Sequence, residues 1–442
     1  MYRRHYIERD GNIILYLPDS LRFFYINEET RDVIEAVCEQ SKAEVLNNFS
    51  IVDEEDYESL IELLEEKEPI RDTPNNNLIK LTLIISGNCN LSCKYCYANR
   101  GHFENNNGNM SVAIMKNALD RFYEKYSVIE NIMFFGGEPT MNMDAIKYGC
   151  EYIHKMYEAG KIQKLPNLGM VTNGTLVNDE IIDIIKKYSL NITVSLDGPK
   201  EINDVLRVYE DGRGTSSLIE ENIFKLKKEC NQPVAIEATY TGIHEKMGYS
   251  VLDVIKYIKD KFDVPKVHIA PVSSIKESEL AVSSRSPFIK SIKEVHNWKK
   301  QGCDYRYTSY NLTLEGLKHK QVRTHYCEAG LSRFAVSTGG DVYPCYLFTD
   351  ENEICMGNVM DEKMFKSEKM TSLQNKLRSF NKYEKEKCAN CFNNTLCRQC
   401  VAENYYINNN LLQVPEQTCE FAKQRTEMII ENLVKEQVSE QA

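Results

Sequence analysis

Ten of the fifteen cysteines in this chain are spaced for iron–sulfur chemistry. Cys89, Cys93 and Cys96 lie in the run Cys-Asn-Leu-Ser-Cys-Lys-Tyr-Cys-Tyr. A second group runs Cys327, Cys345, Cys388, Cys391, Cys397, Cys400 and Cys419. Three thiolates on one short loop can hold three irons of a [4Fe–4S] cube and leave the fourth iron open to a ligand. Seven more suffice, nearly or fully, for two further clusters. Zinc is the competing occupant, since three thiolates or paired Cys-x2-Cys units also suit that ion. Cys38, Cys150 and Cys230 fall within or at the ends of helical patterns and read as small buried hydrophobes.

The elements that must position these thiols follow from the rest of the chain. With 442 residues it is too long for one compact core, so two or three domains are expected. No run approaches the apolar length of a transmembrane helix, and the start Met-Tyr-Arg-Arg-His-Tyr leads straight into charge rather than a signal h-region. These features predict a cytoplasmic protein with no membrane partner, in which cysteines stay reduced. The net charge of −11 resides wholly in residues 1–75, with 8 Lys+Arg against 19 Asp+Glu, mainly over Asp53–Glu68. That acid is a solvated helix face or an attractor for a basic partner segment. No basic stripe accompanies it, which disfavours nucleic-acid binding.

Residues 1–70 form a small domain. Gly11–Pro18 and Leu21–Ile26 are β-rich, Asn27 opens a helix, and Asp53–Glu66 is a second, amphipathic helix. Glu68–Asn77, with two prolines and three asparagines, is a linker. From residue 79 to 272 the pattern alternates. Strands are expected at Lys80–Ser86, Asn131–Phe135, Leu168–Thr172, Ile192–Leu196, Val234–Tyr240 and Lys266–Ala270. Helices are expected at Val112–Tyr126, Asp144–Ala159, Asp179–Tyr188, Ser216–Glu229 and Val251–Phe262. Six strands in βα alternation predict an α/β chain with a parallel, partial (β/α)6 barrel. Residues 273–326 are a bridge containing a polar helix over Ser286–Gln301, residues 327–420 a loop-rich cysteine region, and residues 421–442 a helix and acidic tail.

In parallel barrels the chemistry lies at the C-terminal ends of the strands. Cys89, Gly136-Gly137-Glu138-Pro139, Asn173-Gly174 and Asp197-Gly198 all follow expected strands. With the Cys-x3-Cys-x2-Cys loop behind the first strand, this resembles the radical S-adenosylmethionine (SAM) superfamily. The resemblance implies that Cys89, Cys93 and Cys96 ligate a cluster whose open iron is chelated by the amino and carboxylate groups of SAM. An electron then cleaves SAM to a 5′-deoxyadenosyl radical, the cofactor supplying the hard chemistry. It also implies that Tyr95 lies beside the adenine and that Gly136, Gly137 and Glu138 form the site of the methionyl amino group. Asn173, Ser195, Asp197 and Arg207 complete the cofactor contacts. On the residues alone, Asn173 is equally a turn residue and Arg207 equally a surface arginine.

The array Cys327-x12-Gly340-x4-Cys345, Cys388-x2-Cys391-x5-Cys397-x2-Cys400 and Cys419 resembles the SPASM domain, an auxiliary-cluster module of radical SAM peptide and protein modifiers. It departs from that pattern by one residue missing between Cys397 and Cys400. The resemblance assigns Cys388, Cys391, Cys397 and Cys419 to a fully ligated second auxiliary cluster. Cys327, Cys345 and Cys400 supply three ligands of the first, with Cys303 and Cys355 as candidates for the fourth. If neither serves, that iron is open to a substrate thiolate. Residues 1–70 resemble, diffusely, the winged-helix-like peptide-recognition element of ribosomal-peptide maturases, which binds a leader by adding a strand to its sheet. A plain structural cap on the barrel is the other reading.

Together these resemblances imply a thioether-forming maturase of a ribosomally made precursor peptide. It would use SAM and three [4Fe–4S] clusters, with reduced ferredoxin or flavodoxin as electron donor. Carbon–carbon crosslinking and formylglycine formation in sulfatases are the enzymatic alternatives. A zinc-stabilised peptide-binding scaffold is the non-enzymatic one.

Overall fold

The computed structural model of the chain describes residues 2–101, 103, 106–272, 278–303 and 306–441. The start of the expected bridge, residues 273–277, and the terminal residue 442 lie outside the described residues. The N-terminal module is a three-stranded antiparallel sheet, β1 (His5–Arg9), β2 (Asn12–Leu17) and β3 (Arg22–Ile26), in the order β1-β2-β3. Helices α1 (Glu28–Glu39), α2 (Lys42–Asn48) and α3 (Glu54–Glu65) cover one face. Alternation explains why both faces are used. Ile13, Leu15 and Leu17 pack with Val33, Ile34 and Leu64 of the module's own core, while Ile7, Ile14 and Tyr16 join the main core. The first strand and the middle helix are additions to the expected pattern. Ser41 begins that helix through a capping box with Glu44.

Six parallel strands form the expected partial barrel: β4 (Lys80–Ser86), β5 (Asn131–Gly136), β6 (Asn167–Thr172), β7 (Asn191–Ser195), β8 (Ala235–Tyr240) and β9 (Lys266–Pro271). Outward positions such as Phe134, Met170, Val194, Ile236 and Ile269 are buried under helices α4 (Val112–Lys125), α5 (Met143–Glu158), α6 (Asp179–Tyr188), α7 (Ser216–Cys230) and α8 (Val251–Phe262). The alternate positions Met133, Val171, Thr193 and Glu237 are only half-buried and face the lumen.

The cysteine region is less loop-like than expected. Its strands β10 (Arg333–Val336), β11 (Asp341–Tyr343) and β12 (Gly357–Asn358) extend the barrel sheet, giving the order β9-β8-β7-β6-β5-β4-β10-β11-β12. Because β10 pairs in parallel with β4, the strand carrying the first cysteine loop is also the seam with the cysteine domain. The bridge holds the expected helix, α9 (Ser286–Lys300), and a further one, α10 (Thr308–Lys318). The last helix, α11 (Glu416–Gln441), starts earlier than expected and carries Cys419 on its first turn. It packs on α9 and α10 and against β3. Among the described residues no helix is long and apolar enough to cross a membrane.

Candidate active site

The first cysteine loop leaves β4 and is pinned from two sides. Ser92 N donates to Val208 O at 2.7 Å and Lys94 N to Leu206 O at 3.0 Å, which lays Arg207 alongside the loop. On the other side a side chain on Gly136 would strike Ser86 O, and one on Gly137 would strike Asn88 O. These two glycines therefore admit the backbone of the cysteine loop itself, a closer neighbour than any ligand. Gly101, at φ +92°, does the same for Cys89, whose side chain fills the space a Cβ would need. Sequence reasoning missed it. Its signal was a glycine shortly after the third cysteine.

The thiols of Cys89 and Cys93 are neighbours, as are those of Cys93 and Cys96. Burial pushes Cys89 up to about 12 and Cys93 up to about 11, so without metal all three thiols keep their protons. Glu138 is fully buried. Its Oε1 accepts from Thr140 N, Thr140 Oγ1 and Thr172 Oγ1 at 2.6–3.0 Å, and its Oε2 accepts from Asn173 N at 2.7 Å. This carboxylate clasps the ends of β5 and β6 together, and Oε2 alone keeps spare accepting capacity. Asn173 makes the expected turn, its Oδ1 accepting from Thr175 N, while its amide points at Cys89 Sγ from 3.6 Å.

Tyr95, Asp197 and Arg207 form one buried network. Tyr95 donates to Asp197 Oδ2 at 2.6 Å, and Arg207 Nη1 donates to the Tyr95 hydroxyl at 2.6 Å. The ring of Tyr95 packs against Ile202, Leu206 and Leu280. Asp197 Oδ1 also takes Thr239 N at 2.9 Å, so Asp197 serves mainly to hold this network. Arg207 is 8% exposed, and its Nε is buried with no hydrogen-bond partner. An orphaned guanidinium donor beside Cys93 fits an anionic ligand such as the SAM carboxylate. Ser195 Oγ donates to Glu237 Oε1 at 3.1 Å. Sequence reasoning named no proton acceptor, yet Glu237 is a half-buried carboxylate on the lumen side of β8. The alternating apolar pattern Ile236, Ala238, Tyr240 was the available signal.

The C-terminal cysteines surround two cavities. Cys327, Cys345 and Cys400 line one of about 460 Å³ on the seam between β4 and β10. Cys388, Cys391, Cys397 and Cys419 line another of about 740 Å³. Cys397 and Tyr326 stand in the wall between them and line both. Cys303 is exposed, Cys355 donates to Gly357 O at 3.5 Å, and neither is among the residues lining either cavity. Thiols spread around a cavity rather than gathered at one point suit a cluster better than a single ion. Among the described residues no group of three or more His, Cys, Asp or Glu side chains stands at single-ion spacing. The wall of the larger cavity includes Tyr2 to Tyr6 of the N-terminal module, which the sequence does not hint at.

The model of the radical SAM superfamily matches residues 83–269, and that of SPASM, an iron–sulfur cluster-binding domain, matches residues 327–392. An uncharacterized protein of Methanocaldococcus jannaschii is 31% identical over 294 residues, covering 66% of this chain and 92% of the relative. The chain belongs to the radical SAM superfamily. It is an enzyme with a radical SAM domain and a SPASM domain. The cysteine-type anaerobic sulfatase-maturating enzyme of Clostridium novyi is 24% identical over 340 residues, covering 72% of this chain and 86% of that enzyme. Two solved structures share the fold of this radical SAM enzyme. anSMEcpe with bound AdoMet superposes with TM-score 0.66 at 21% identity, over 81% of this chain and 98% of that one. Streptococcus suis SuiB bound to its precursor peptide SuiA superposes with TM-score 0.55 at 15% identity, over 95% of this chain and 100% of SuiB.

Proposed function

We propose that this enzyme matures a ribosomally made precursor peptide by joining a cysteine sulfur to a carbon through a thioether. The observation that carries the reading is the N-terminal sheet. It is locked onto the cysteine domain by its inner face, while among the described residues β3 pairs with no strand but β2, which leaves its outer edge free of strand pairing beside α11. A leader peptide adding a strand there would deliver its core toward the barrel. The likeness to SuiB, which spans 95% of this chain, includes this module.

Arg207 would offer its orphaned Nε to the SAM carboxylate and Glu138 Oε2 its remaining capacity to the ammonium, with Asn173 beside Cys89. When bound, SAM and the cluster of Cys89, Cys93 and Cys96 supply a 5′-deoxyadenosyl radical that removes a hydrogen atom from the substrate carbon. Closing a thioether also removes the thiol proton and one electron. Glu237, in the lumen beside Ser195, is positioned to take the proton. The electron would leave to clusters held by Cys327, Cys345 and Cys400 and by Cys388, Cys391, Cys397 and Cys419. Cytoplasmic ferredoxin or flavodoxin would supply the initiating electron.

The test is anaerobic co-expression with a small cysteine-bearing peptide encoded nearby. The product should lose two hydrogens per link and resist thiol alkylation. Mass loss with all thiols still free would indicate carbon–carbon crosslinking instead. Formylglycine formation is the second reading, favoured by the sulfatase-maturating relative. Removal of residues 7–70, which spares the cavity wall of Tyr2 to Tyr6, and assay of the intact enzyme on a leaderless peptide separate the two, because activity retained on the leaderless peptide counts against leader-guided maturation.

A further inference from the structure

Lys80 opens β4 and Arg333 opens β10, and the two are Cα partners across the parallel seam. Like charges placed directly opposite on paired strands are destabilising unless an anion offsets them. Both side chains line the cavity of Cys327, Cys345 and Cys400, Lys80 half-buried and Arg333 at its exposed rim. Both act on the thiol of Cys345, and Arg333 acts also on that of Cys327. Among the described residues neither cation forms an ion pair. Glu130 and Glu328 line the cavity, of which Glu328 pairs with Arg323 at 2.9 Å and accepts from Ser332, and Glu237 acts on Lys80. The same cavity is also lined by Arg323, Arg398 and Lys382, the last 2% exposed and donating to Thr395 O at 2.9 Å. Of these cations Lys80 and Arg333 are the pair set opposite each other across the seam.

We propose that Lys80 and Arg333 are the counter-charge of the first auxiliary iron–sulfur cluster, so that the seam joining barrel and cysteine domain tightens when that cluster is in place. This rests on the reading that Cys327, Cys345 and Cys400 hold such a cluster. The core of an oxidised cube carries two positive charges, so three thiolates leave it with one net negative charge, and one further electron makes two. Two cations against that anion are attractive, and they favour the reduced form. Without the cluster an ordinary thiol carries its proton at neutral pH, so the cavity gains no anion and the same two cations face each other across the seam. Lys80 and Arg333 are thus positioning residues whose contribution changes sign with cluster loading.

That sign change separates the proposal from ordinary packing. Arg333→Gln and Lys80→Gln would be made in a Cys89→Ala/Cys93→Ala/Cys96→Ala background, so that only auxiliary signals remain. The metal-free chain is expected to melt a few degrees higher than its parent. The reconstituted chain is expected to melt lower. The midpoint potential of one auxiliary cluster, followed by EPR, should fall by about a tenfold change in the reduced-to-oxidised ratio, ~59 mV for one electron. Lys80→Arg, which keeps the charge, should restore the parent potential. Loss of stability in both metal-free and loaded chains, or a potential that stays at its parent value with full iron content, overturns the proposal. Absence of iron from the cavity in the parent background overturns instead the assignment of the cysteines.

Discussion

The mouth of the barrel and the cysteine domain solve the same problem, presenting thiols to a cluster, by different means. At the mouth everything is local. Three cysteines share one loop, and Glu138, Asn173, Ser195 and Asp197 each follow or close a strand, with Asn173 N bonded to Glu138, Ser195 to Glu237 and Tyr95 to Asp197. In the cysteine domain the thiols come from distant segments, and the walls that complete each cavity come from elsewhere in the chain. The smaller cavity borrows β4 of the barrel, and the larger borrows Tyr2 to Tyr6 of the N-terminal module. The mouth can therefore fold as soon as the barrel does, whereas the auxiliary cavities exist only when three domains have docked.

The sharpest way to break that comparison is to remove one thiol from each region. Cys93→Ala should abolish reductive cleavage of SAM, measured as 5′-deoxyadenosine in an anaerobic assay. Cys345→Ala should leave cleavage in place and abolish crosslinked product. Equal loss of cleavage in both variants would mean that the regions are not independent. Next in size is Glu237→Gln. Product should fall on the order of 10²-fold, the usual contribution of a positioned acid–base group, while cleavage of SAM continues. Product and cleavage falling together would place Glu237 in cofactor binding through Ser195 instead.

A smaller effect tests the borrowed wall. His5 stacks on Phe392, next to Cys391, with ring centroids 3.6 Å apart and planes 3° from parallel, and Arg3 Nη1 donates to Ala389 O at 3.2 Å. His5→Ala removes a contact worth about 0.5–1.5 kcal/mol beyond area burial. If Cys388, Cys391, Cys397 and Cys419 hold a cluster as proposed, part of the brown absorbance should then bleach several-fold faster in air. The part from the cluster proposed at Cys327, Cys345 and Cys400 should bleach at its former rate.

This contrast also explains what could be read from the sequence. The alternation of strands and helices is a periodic signal, and it located the six barrel strands to within a residue or two. The motif residues of the mouth were legible because each is adjacent in sequence to a strand end. The two-residue strand Gly357–Asn358 and the three-residue strand Asp341–Tyr343 are too short to show a period, so the extension of the sheet into the cysteine domain was invisible. Lys80 and Arg333 carried no signal because their meaning depends on a pairing between residues 253 positions apart. Residues 2–6 carried no signal either, since nothing local in them reports that they wall a cavity.

The finest test compares single hydroxyls. Thr172 Oγ1 donates to the buried carboxylate of Glu138 at 2.7 Å, and Thr395 Oγ1 donates to Pro18 O at 2.7 Å, joining the cysteine domain to the N-terminal module. Both threonines are buried, and valine matches threonine in shape at each. Burial pushes the Glu138 carboxyl up, while hydrogen bonds, including that from Thr172, hold it down. Thr172→Val should therefore cost about 1.5–3 kcal/mol, the range for a hydrogen bond to a charged group. Thr395→Val deprives only a neutral carbonyl and should cost about 0.5–1.5 kcal/mol. Denaturant titration of the two variants measures the difference. If Thr395→Val proves the costlier, the tie between the N-terminal module and the cysteine domain is stiffer than the clasp at the barrel mouth, and local assembly is not what distinguishes the two regions.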